Sequence, residues 1–170
     1  AQLEGLDRKR YANVIAFCRD RYKTVLLPVQ MGPDGSFPLE LARTKPYAYS
    51  LFNLDAFAIV CQILSQPFDA AEGRPADDLW TYELPDGRGM RKAMEFMFPY
   101  IADKSRWPHK PDVQYHENWP VRHPSLLFAG LRLGRPAYVD LWRTLEADPR
   151  VDEVIRNFVV RQPLLWISNE

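Results

Sequence analysis

Residues 47 to 64 read YAYSLFNLDAFAIVCQIL. Apolar side chains fall on nearly every side of a helix drawn through this stretch, with Asn53 and Asp55 the main interruptions, and that is the pattern of a helix buried on several sides. Such a segment belongs at the centre of a domain. Pro46 delays its start, and the stretch before it, Met31-Gly-Pro-Asp-Gly-Ser-Phe-Pro, crowds glycine and proline into a loop that no helix continues through.

Upstream of that loop, Tyr11, Val14, Ile15, Cys18 and Tyr22 recur at i, i+3, i+4, i+7 and i+11, while Arg8, Lys9, Arg19 and Asp20 take the other face, which predicts a helix over about 6–28. Downstream, residues 67–88 form a connection rich in proline, glycine and aspartate that ends in Leu84-Pro-Asp-Gly-Arg. The apolar spacing then returns with Ala93, Phe96, Met97, Tyr100 and Ile101 and predicts a third helix. Residues 104–123 are long, irregular and rich in Trp, His, Tyr and Pro, more like a binding loop than a spacer. Shorter helices are expected over 124–133, 136–146 and 150–161. Pro124 and Pro136 suit first-turn positions, Gly134 a C-terminal cap, and Pro163 the end of the last helix. No segment alternates with period two, so the fold class is all-α.

Composition narrows the function classes. The 170 residues are 46% hydrophobic and 26% charged, an ordinary globular balance, and no uninterrupted apolar run of the ~18 residues needed for a membrane span stands out. The 22 Lys and Arg cancel the 22 Asp and Glu, so no overall field recruits nucleic acid, and an anionic ligand would have to meet a local basic cleft. Cys18 and Cys61 both lie inside apolar helical patterns and read as buried thiols. The opening Ala-Gln-Leu-Glu has no basic, apolar leader, as a processed protein or a fragment would show. Nothing has the spacing of a phosphate loop, a Ser-His-Asp set or a Cys/His metal site, so no cofactor or metal is expected.

Chemistry concentrates where the loop enters the central helix, DGSFPLELARTKPYAYSLFNLD at residues 34–55. Arg43 and Lys45 offer cations, Tyr47 and Tyr49 offer phenols, and the helix N-terminus adds free N–H groups and a positive dipole. Together they suit a ligand that carries a carboxylate. Cleaving a 4-linked uronan by β-elimination needs that combination. The C6 carboxylate must be neutralised before the C5 proton becomes acidic, and a base must then take that proton. The same letters also fit a solvated arginine and tyrosines that only pack.

The motif DGSFPLELARTKPYAYSLFNLDA resembles the second-half motif of the alginate lyase-like domain shared by several polysaccharide lyase families, and Leu84-Pro-Asp-Gly-Arg with its following helix is also similar; the likeness spans most of residues 30–165. The resemblance implies part of an (α/α) toroid of helical hairpins, with residues 1–170 the C-terminal half of one catalytic domain. It implies an anionic polysaccharide substrate such as alginate or glucuronan, and a periplasmic or secreted setting. Position by position, it makes Arg43 the carboxylate-neutralising arginine and Tyr49 the catalytic base and acid, with weaker claims for Tyr47 as a sugar-contacting ring and Lys45 as a cleft cation. The family's Asn and His pair has no counterpart here: His109, His116 and His123 all follow the tyrosine motif and none follows an asparagine. The missing N-terminal half is therefore the expected partner, and without it this chain would be inactive and would expose a large apolar face.

His116 and Trp119, in Tyr-His-Glu-Asn-Trp-Pro, are candidate sugar-binding residues, His116 also a replacement acid. Asp112 and Glu117 keep open a glycoside hydrolase on an (α/α) barrel, since paired carboxylates hydrolyse glycosides. A non-catalytic carbohydrate-binding or scaffold domain is the third reading.

Overall fold

A computed structural model describes residues 8–66 and 78–167. The first residues of the expected 6–28 helix, and 67–77 of the long connection, lie outside the described residues. The fold is all-α, and among the described residues a single isolated bridge, Glu83 with Gly89, is the whole of the β structure.

Helix α1 (Arg8–Arg21) passes through a π-helical turn (Tyr22–Leu26) into α2 (Leu27–Gln30). Pro28 explains the wide turn. In a regular α-helix its ring would crowd the carbonyl four residues earlier, and it has no N–H to donate. The predicted α1 stripe is only partly covered: Tyr22 is buried and Ile15 and Cys18 are half-buried, but Val14 is exposed. Arg19, assigned to the solvent face, turns inward instead, and its Nε donates to the Leu64 carbonyl at 2.8 Å. A guanidinium there answers the unsatisfied carbonyls and negative dipole end of the central helix.

The loop after α2 carries a short α3 (Pro38–Leu41), which is not among the expected helices, and leads into α4 (Pro46–Leu64). Gly35 sits at φ +89°, and a side chain on it would drive into the Lys92 carbonyl, so glycine lets this loop lie directly on α5 (Met90–Ala102). Helix α4 is the core element: Tyr47, Leu51, Leu54, Phe57, Ala58 and Cys61 are all buried against α1, α3, α5 and α6 (Pro124–Arg132). It is long and apolar enough to cross a membrane, a correction to the reading from composition, yet most of it is buried inside the fold as a core helix is. Among the described residues one stripe stays partly uncovered. Tyr49, Phe52, Asn53, Ala56 and Ile63 are half-buried or exposed along one side of α4.

Helix α6 packs on α7 (Pro136–Thr144) after a turn through Gly134 at φ +62°, and α8 (Asp152–Asn157) follows. Pro124 and Pro136 occupy first-turn positions as expected. Pro163 begins a 3-10 turn (Pro163–Trp166) rather than closing α8, which ends earlier at Asn157. Both cysteines are free thiols, Cys61 buried and Cys18 half-buried.

Candidate active site

Residues 42–46 deliver the site. Lys45, ahead of Pro46, provides no side-chain cap for α4, so the first N–H groups of the helix need an acceptor from elsewhere. Asp112 supplies it. One carboxylate oxygen accepts from the Tyr47 N–H at 2.8 Å and the other from the Ala48 N–H at 3.0 Å. Burial raises the Asp112 carboxyl above its ordinary range, against the pull of those two N–H groups and of nearby His116. The Val113 N–H adds a bond to the Thr44 carbonyl at 3.1 Å, so the 104–123 segment is stitched to the loop that carries the candidate residues.

Arg43 and Tyr49 come together. The guanidinium lies over the Tyr49 ring at 3.8 Å from its centroid, and its Nη1 donates to Glu40 at 3.1 Å. Its side chain is 54% exposed, so donors of the planar fork face solvent on the open side. Tyr49 is half-buried, and among the described residues no hydrogen-bond partner meets its hydroxyl. A cation, a phenol and an accessible surface therefore coincide on the uncovered side of α4.

Tyr47 is tied off. It is 0% exposed, its hydroxyl donates to the Tyr100 carbonyl at 2.9 Å, and burial pushes its phenol far above the ordinary range. The sugar-contacting role expected for it has no open ring face to rest on. Lys45 is likewise turned inward, its Nζ 2.6 Å from Glu153, whose carboxyl that bond holds below its usual range, with Arg156 as a second partner. A cation so neutralised is not the free cleft charge that was expected.

The aromatic segment is mostly packing. Trp107 meets Tyr47 and Tyr100 edge-on at 5.1 and 5.3 Å, and His116 meets Tyr47 at 5.6 Å. His116 Nδ1 accepts from the Asp112 N–H at 3.3 Å and its ring is only partly exposed. Trp119, expected as a stacking platform, is 4% exposed and lies parallel to His123 at 5.6 Å, which leaves no face for a pyranose. Glu117 points outward toward Lys104 while Asp112 caps α4, so these carboxylates are not a pair flanking one cleft.

One buried pair escaped the sequence reading. His123 Nδ1 lies 2.7 Å from Asp55, whose other oxygen accepts from the Ser125 N–H at 3.1 Å. The signal was Asp55 itself: a carboxylate inside an otherwise apolar helix needs buried donors. Among the described residues no group of three or more His, Cys, Asp or Glu side chains converges as a metal-ligand set.

Comparison with known proteins shows the family. A family model described as alginate lyase matches residues 10–107. The chain is similar in structure to an alginate lyase from Bacteroides ovatus, with 28% identity and a TM-score of 0.54 over 72% of this chain. The chain spans only 30% of the length of that relative. No curated protein sequence matches.

Proposed function

The chain belongs to the alginate lyase family, and from that premise we propose that it acts in cleaving a 4-linked uronic-acid polymer, alginate or glucuronan, by β-elimination. Arg43 binds and neutralises the C6 carboxylate of the uronate. Tyr49 takes the C5 proton, the electron pair forms the C4=C5 double bond, the C4–O bond breaks, and the same phenol returns a proton to the leaving oxygen. The observation that carries this reading is the stacked Arg43–Tyr49 pair on the accessible side of α4, with Tyr47 withdrawn into the core. A guanidinium stacked on a ring is pre-oriented for a planar carboxylate, and it brings that carboxylate next to the phenol that serves as base.

The open stripe of α4, from Tyr49 to Ile63, and the short span relative to the Bacteroides ovatus enzyme support a further proposal. A second helical segment, the N-terminal half of the toroid, covers that stripe and supplies the Asn and His elements of the site. A polymeric substrate fits a periplasmic or secreted location.

The test is to incubate the full-length protein with polymannuronate, polyguluronate and glucuronan. Ultraviolet-absorbing unsaturated ends should appear from at least one of them. Reducing ends without that absorbance would mean hydrolysis, and binding without either product would mean a non-catalytic scaffold.

Arg43→Ala should raise KM and lower kcat, each by about tenfold, because the carboxylate is already charged in the ground state and gains charge as the C5 proton leaves. Steady-state kinetics on the cleaved polymer checks this, and an unchanged KM would remove Arg43 from the carboxylate site.

A further inference from the structure

We propose that the ring of Tyr115 is a sugar-stacking platform at the edge of the Arg43–Tyr49 cleft, a role that rests on the uronan reading above. Tyr115 has φ 61° and ψ 16°, a left-handed conformation that residues with a side chain rarely adopt. Both sides of it are fixed. The Val113 N–H bonds Thr44, the Asp112 carboxylate caps α4, and the Tyr115 carbonyl accepts from the Asn118 N–H at 3.0 Å. A glycine would meet this backbone without strain, so local geometry alone does not account for a tyrosine here.

The ring does not account for itself by burial either, since Tyr115 is 44% exposed. Lys45 Nζ lies 5.0 Å from its centroid, over one face, and that ammonium already has its charge partner in Glu153. The ring thus has a fixed cation against it and is still 44% exposed. An aromatic presented in this way fits the apolar C–H face of a pyranose.

Its position ties it to the site. The Val113 N–H bond to the Thr44 carbonyl at 3.1 Å, two residues before Tyr115 and one after Arg43, fixes the Tyr115 segment to the loop that carries Arg43, and the Lys45 ammonium of the same loop meets the ring. Trp119 and Tyr47, the rings expected to contact sugar, are buried, whereas Tyr115 is exposed.

The experiment uses the full-length protein and whichever uronan it cleaves, comparing wild type with Tyr115→Phe, Tyr115→Ala and Tyr115→Gly for KM, kcat and melting temperature. The alanine and glycine variants should raise KM about tenfold with kcat nearly unchanged, and Tyr115→Phe should match wild type. The glycine variant should melt at or above the wild-type temperature because it relieves the left-handed backbone. A folded Tyr115→Gly protein with wild-type KM would overturn the proposal, as would a loss of stability with KM unchanged, which would make the ring a cover for Lys45. If the wild type cleaves none of the three uronans, the functional reading fails first and this proposal fails with it.

Discussion

Tyr49→Phe in the full-length protein is expected to lower kcat by about 10²–10⁴-fold while KM and the melting temperature stay close to wild type. The substitution deletes one hydroxyl that has no partner among the described residues and keeps the ring on which Arg43 stacks. Little folding energy is therefore at stake. What is lost, on the mechanism proposed above, is the atom that takes the C5 proton and returns one to the leaving oxygen, so the deficit should fall on turnover. Tyr47→Phe makes the control: its hydroxyl is bound to the Tyr100 carbonyl inside the core, so that variant should lose stability and keep its rate per folded molecule. Wild-type kcat in a normally folded Tyr49→Phe protein would remove the phenol from the mechanism, and His116 would be the next residue to substitute. Loss of folding in the same variant would make Tyr49 a packing residue.

Helix phase, a property of the sequence, separates these two tyrosines, although both were expected at the ligand. Two residues along an α-helix is a rotation of about 200°, so Tyr47 and Tyr49 face opposite ways. Tyr47 shares its side with Leu51, Leu54, Ala58 and Cys61, all buried, and Tyr49 shares its side with Phe52, Asn53 and Ala56, which are not. The central helix and the proline-started helices α6 and α7 were legible for a similar reason, since apolar period and proline geometry act within one segment. What the sequence did not reveal acts between segments. The cap on α4 comes from Asp112, the partner of Lys45 is Glu153 far along the chain, and Arg19 reaches the far end of α4. A binding-loop reading of 104–123 also followed from its composition, but those letters describe either a wet cleft or a packed seam. Only burial separates Trp119, in the seam, from Tyr115, at its surface.

Asp55→Ala should cost about 3–5 kcal/mol of folding stability, the largest loss expected from a single substitution outside the candidate site. Asp55 and His123 are each about 1% exposed, so neither can turn to water for a replacement partner. The Val121 N–H points at His123 Nε2 at 3.4 Å, which leaves the ring proton on Nδ1, donated to Asp55. Removing the carboxylate strands that donor and the Ser125 N–H together, and opens a small cavity beneath the start of α6. Asp55→Asn should fall between alanine and wild type, because its amide has one acceptor oxygen for two donors and turns its own N–H₂ toward the other. His123→Ala leaves the Asp55 carboxylate buried with only the Ser125 N–H, so it too should be destabilising, and the double alanine variant should cost less than the two single losses added. Urea denaturation of the full-length variants measures all four. Additive losses, or an Asp55→Ala protein within about 1 kcal/mol of wild type, would show that the pair does not act as a unit. Because Trp119 lies against His123 and Asp112 against the first turn of α4, the pair and the cap bracket the segment that bears Tyr115. On the proposed uronan reading, a folded Asp55→Asn protein should therefore show a raised KM in steady-state kinetics, although Asp55 is buried; an unchanged KM would uncouple the pair from the Tyr115 segment.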